Sequence, residues 1–64
     1  MMRISLKAAR INAGLRQTDI AIALGVDRKT VGSWENGKSM PTADKVEPIC
    51  AILGVNYDAI KWKV

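Results

Sequence analysis

Sixty-four residues carry a formal net charge of +4, with 48% apolar and 25% charged side chains, a balance that suits one small folded domain and argues against disorder. His is absent and Cys50 is the single Cys, which excludes imidazole catalysis, a Cys–His pair, an internal disulfide and a thiolate or imidazole metal site. No stretch approaches the ~18 apolar residues of a membrane span, and one thiol agrees with a reducing compartment, so a cytoplasmic protein without cofactor is expected.

Almost nothing reads as strand, because no stretch alternates apolar with polar residues over five or more positions. Gly14, Gly25, Gly37 and Gly54 punctuate the chain instead, as left-handed caps closing four helices. The first helix runs from its N-cap Ser5 to Ala13, with Leu6, Ala9 and Ala13 on one face. Arg10 shares that face, which is unusual for a charge. Residues 1–18 hold four bases and no acid, as a transit peptide does, but only one Ser, and their pattern continues into the next segment. The second helix spans Gln17 to Leu24, with Ile20, Ala21 and Leu24 inward. The third follows Asp27 as N-cap and ends near Glu35.

The fourth helix lies before Gly54, with Val46, Ile49, Cys50 and Leu53 inward. A start at Thr42 would put Pro48, which has no N–H, in the helix interior. A later start is expected, with Asp44 as cap and Glu47 at the third helical position. Residues 38–44 then form an extended loop, with Met40 tucked into the core. A last short element runs from Asn56 to Ile60. The expectation is one all-α domain of five short helices over residues 1–64.

The charge is segregated. Residues 1–38 hold seven bases against three acids, the whole of the excess, and residues 39–64 balance three against three. A segregated basic surface points to a polyanion, either nucleic acid or anionic membrane. The third helix sharpens the choice. On a helical wheel Asp27, Val31 and Trp34 fall within about 60° of one another, while Arg28, Lys29, Gly32, Ser33 and Asn36 gather about 200° away. The first sector is core, Trp34 included. The second carries two cations and no acid, and it has Gly in mid-helix, where Gly costs ~1 kcal/mol. Only about three residues join this helix to the one before, so the two cross steeply and the third is left open along one side.

The run Gln17-Thr18-Asp19-Ile20-Ala21-Ile22-Ala23-Leu24-Gly25-Val26-Asp27-Arg28-Lys29-Thr30-Val31-Gly32-Ser33-Trp34-Glu35-Asn36-Gly37-Lys38 resembles the phage Cro and repressor family, the xenobiotic-response-element type. The resemblance covers about residues 5–60, with Trp34-Glu35-Asn36-Gly37-Lys38, Pro41 and Leu53-Gly54-Val55 as its specific features. It implies a lambda-repressor-like helix-turn-helix domain whose third helix enters the major groove of duplex DNA. Arg28 and Lys29 would then read bases, assisted by Ser33 and Thr30. Gln17 would hold a phosphate at the start of the second helix, with Arg16 a further candidate. The N–H groups around Asn36 and Gly37, with the Lys38 side chain, would hold another. Arg16 replaces the usual Ser, Thr or Asn cap, so that helix end is expected to fray without DNA. Gly32 offers no contact, so its base-pair position is expected to be read loosely.

An isolated buried guanidinium is costly, and the resemblance supports a structural ion pair between Arg10 and Glu35. The function implied is sequence-specific DNA binding by a small transcriptional regulator, a repressor of prophage or bacterial type. Its partner would be a two-fold operator, occupied by a homodimer. The core is expected to be complete at Ile60, which leaves Ile60-Lys61-Trp62-Lys63-Val64 as the dimer surface and Trp62 as its anchor. The competing reading of Trp62 is a lid folded onto the first helix. The alternative function is a protein-interaction module of the same fold, an antitoxin half or a coactivator-like adaptor. An enzyme is disfavoured by the absence of His, of paired carboxylates and of any glycine-rich phosphate loop.

Overall fold

The computed structural model describes residues 2–62. Their order is β1 (Ile4–Ser5), α1 (Leu6–Asn12), α2 (Gln17–Leu24), α3 (Arg28–Glu35), α4 (Ala43–Leu53), a 3-10 turn (Tyr57–Ala59) and β2 (Ile60–Lys61). The architecture is an α-helical bundle with a helix-turn-helix at its centre. The expected fifth helix is a single 3-10 turn, too short to become a true helix because Ile60 leaves it in extended conformation. The two short strands are a second departure. They pair in parallel, with Ile4 opposite Ile60 and Ser5 opposite Lys61, and so fasten the two ends of the described chain together.

Local chemistry accounts for most of the helix ends. Ser5 Oγ accepts the Ala8 N–H at 3.0 Å and starts α1. Gly25, at φ 70°, turns the chain out of α2, and Val26 N–H bonds back to the Ala21 carbonyl at 3.0 Å. Three residues later α3 begins. Ala21 is buried at the crossing, where its small side chain lets α3 pack close. Lys45 Nζ donates to the Leu24 carbonyl at 3.2 Å, tying α4 to the negative end of α2.

The core is shared by the four helices, β2 and Trp62. Ile20, Val31, Ile49 and Ile60 are fully buried, one each from α2, α3, α4 and β2, and Trp34 packs with them. Cys50 is half-buried against this cluster, and desolvation, with the nearby Glu47 carboxylate, pushes its thiol up from the ordinary value.

Four expectations are corrected. Ala13 caps α1 and is exposed, one step beyond the buried stripe. α4 starts at Ala43 with Thr42 as its N-cap, and Pro48 does lie inside the helix, because packing of Ile49 and Leu53 outweighs one missing hydrogen bond. Met40, expected in the core, is exposed, and its neighbour Pro41 is buried. Trp62 is buried at 9% exposure, stacks on Tyr57 with ring centroids 5.5 Å apart, and donates Nε1–H to the Tyr57 carbonyl at 3.0 Å. It therefore belongs to the core, not to a free surface. Lys63 and Val64, the rest of the tail assigned to a dimer contact, lie outside the described residues.

Candidate nucleic-acid interface

The outer face of α3 is built by its own periodicity. With Val31 and Trp34 turned inward, Arg28 and Lys29 stand exposed in the first turn, while Thr30, Gly32 and Ser33 are half-buried behind them. Asp27 occupies the N-cap position in extended conformation, but its side chain makes no cap bond and is exposed. No acid follows until Glu35, and that carboxylate points away from the outer face into the protein.

Glu35 organises the other half of the site. Arg10 Nε donates to Glu35 Oε2 at 2.6 Å and Arg10 Nη2 to Glu35 Oε1 at 3.2 Å, a two-pronged buried pair. Arg10 Nη1 donates to the Leu15 carbonyl at 2.9 Å, so the guanidinium also anchors the loop entering α2. Gln17 Nε2 donates to Glu35 Oε1 at 3.1 Å. A carboxylate only accepts, so this bond fixes which end of the Gln17 amide faces inward. The carbonyl end faces Arg28, whose Nη1 donates to Gln17 Oε1 at 3.4 Å. A chain of polar contacts thus runs from the buried pair to the exposed start of α3.

Beside it lies an open hollow of about 470 Å³ lined by Arg10, Arg16, Gln17, Thr18 and Arg28. Three guanidinium groups and no carboxylate line it, at the N-terminus of α2 where the helix dipole is positive. Arg16 has no acceptor to offer the first-turn N–H groups of α2. Asp19 supplies the reciprocal contact instead, accepting the Arg16 N–H at 2.8 Å. That bond, together with the Arg16 guanidinium, holds the Asp19 carboxyl below its ordinary range. Thr18 was not anticipated here. Its place one residue inside α2 was the available signal, since a hydroxyl in a first turn lies beside the open amides.

At the far end of α3 one assignment changes. Asn36 N–H donates to the Gly32 carbonyl at 2.9 Å, Gly37 N–H to Trp34 at 3.3 Å and Lys38 N–H to Ser33 at 2.9 Å. These amides close the helix and are not free for a phosphate. The exposed side chains of Asn36 and Lys38 are the groups left to reach one, and Gly37, at φ 75°, serves the turn.

A small helical bundle whose third helix turns an acid-free outer face beside a guanidinium-lined hollow is the arrangement of a helix-turn-helix protein. Residues 6–60 match the helix-turn-helix family model, and the chain belongs to this family. Over 39 residues it is 44% identical to the 26 kDa repressor protein of Escherichia phage HK022. That match takes in 61% of this chain and 17% of the repressor, so the chain spans only a small part of the relative's length. Among the described residues no helix is long and apolar enough to cross a membrane.

Proposed function

We propose that the domain is a transcriptional regulator of repressor type that binds duplex DNA in a sequence-specific way, with α3 in the major groove. The observation that carries this reading is the acid-free outer face of α3 set beside the three-guanidinium hollow at the start of α2. Arg28 and Lys29 read base edges, Arg28 having the planar fork that fits guanine N7 and O6. Ser33 and Thr30 assist. Gln17 and Arg16 hold one phosphate at the hollow, and the side chains of Asn36 and Lys38 hold the next. Arg10 and Glu35 keep Gln17 in place. The molecule acts in the cytoplasm as a homodimer on a two-fold operator and excludes polymerase by occupying it.

Selection from a random duplex pool followed by salt titration tests this. Affinity for the selected duplex should fall with salt at a log–log slope of about −0.9 per phosphate neutralised. Arg28→Ala should cost ~1–3 kcal/mol on that duplex and relax preference at one base pair. Lys38→Ala should weaken all sequences alike and lower the slope. A flat salt response would favour the protein-interaction module instead.

A further inference from the structure

Gly32 occupies the middle of α3, one turn after Arg28 and one turn before Asn36, on the outer face. A chain usually keeps glycine where φ must be positive or where a neighbour leaves no room for a Cβ. Neither condition holds here. Positive φ occurs at Gly14, Gly25, Gly37 and Gly54, and Gly32 is not among them. A Cβ added at Gly32 would meet one atom, Gln17 Nε2, at 3.8 Å, an ordinary van der Waals distance. Alanine would also hold the helix better, because it loses less backbone entropy on folding. The fold gives no reason for the missing side chain and one reason against it.

The surroundings supply a reason from outside the chain. Gly32 is half-buried, and beside its Cβ position lies the Gln17 amide, which is held by Glu35 and accepts from Arg28 one turn earlier on the same helix. The result is a low point on a polar, acid-free face. Resting on the groove reading above, we propose that Gly32 is a specificity-determining close-approach position. The edge of one base pair lies against the α3 backbone at residue 32, in the space that a side chain would fill. The helix then sits deep enough for Arg28 and Lys29 to reach their own base pairs. Gly32 thus reads by admitting an edge, where the sequence pattern alone implied loose reading for want of a contact.

Gly32→Ala tests the assignment, because the variant should fold at least as well as the parent. Its melting temperature should rise by about 4 °C, the shift that a modest helix-propensity gain gives in so small a domain. Its affinity for the duplex selected by the parent should fall by about fivefold or more, the loss of one good base contact. Its affinity for random duplex, held through phosphates, should stay within about twofold of the parent. A raised melting temperature with parent-like affinity for the selected duplex would overturn the close approach. Equal losses on selected and random duplex would place the approach at the phosphate backbone and overturn its role in specificity. A lowered melting temperature would mean the fold itself requires glycine, which also overturns it. If the parent selects no duplex at all, the groove reading falls and this assignment with it. Selection by the parent with no Gly32→Ala effect removes this assignment alone.

Discussion

Glu35 accepts from three donors with one carboxylate, and its side chain is 1% exposed against 11% for that of Arg10. A buried charge survives only when its lone pairs are this well occupied. Glu35→Ala leaves Arg10 buried without a counter-charge and releases the inner end of Gln17. The expected loss is about 3–5 kcal/mol, well beyond that of an exposed charge change. Arg10→Met with Glu35→Leu should recover much of it, since apolar side chains of similar size need no partner. Thermal melts of the four proteins check this, and a Glu35→Ala melt equal to the parent's would refute it. One misplaced cation on an apolar stripe signalled that Arg10 needs a partner, and the resemblance pointed to Glu35. The Gln17 link could not be anticipated. Its partner lies 18 positions away on another helix, and no periodicity in either helix marks an amide as inward-pointing.

Elements whose ends are fixed by single residues were readable from the sequence. Ser5 starts α1, and glycines close α2 and α4 with φ near 70°, because the signal and its effect are neighbours in the chain. The start of α4 was misread for the opposite reason. Avoiding an interior proline is a local preference, while Ile49 and Leu53 are held by burial against distant residues, and burial prevails. The cost should still be present. Pro48 is exposed and deprives the Asp44 carbonyl of its helical donor. Pro48→Ala should therefore stabilise the domain by about 2 kcal/mol, the ~3 kcal/mol interior penalty reduced by the freedom alanine restores to the unfolded chain. Chemical denaturation measures it, and an unchanged midpoint would mean α4 has already relaxed around the ring. The β1–β2 pair was illegible because two residues cannot show an alternating pattern. Its effect reached further, since the pairing of Ile60 and Lys61 is what carries Trp62 into the core.

At the scale of the whole molecule, the burial of Trp62 moves the proposed dimer contact elsewhere. Met40 is 46% exposed and Tyr57 is 55% exposed, large apolar side chains on a face that shares no residue with the proposed DNA contacts. Two hollows meet there: one of about 340 Å³ lined by Arg3, Met40, Tyr57, Asp58, Ile60 and Trp62, and one of about 310 Å³ lined by Met40, Pro41, Ala43, Val46 and Tyr57. Arg3 and Asp58 border the first hollow with opposite charges, and no ion pair joins them among the described residues. Across a two-fold axis each would face its opposite on the second copy, which makes the surface complementary to itself. Met40→Glu places like charges on both sides of such a contact while touching only an exposed position. It should abolish cooperative binding to a two-half-site duplex, leave binding to one half-site intact, and shift stability by no more than about 0.5 kcal/mol. Trp62→Ala should instead lower stability by the ~3–5 kcal/mol of a buried tryptophan, and because Trp62 lines the first hollow and stacks on Tyr57 it should weaken cooperative binding as well. Gel shifts on one- and two-site duplexes, with melts of both variants, decide the matter, and cooperative binding that survives Met40→Glu would take the dimer contact off this face.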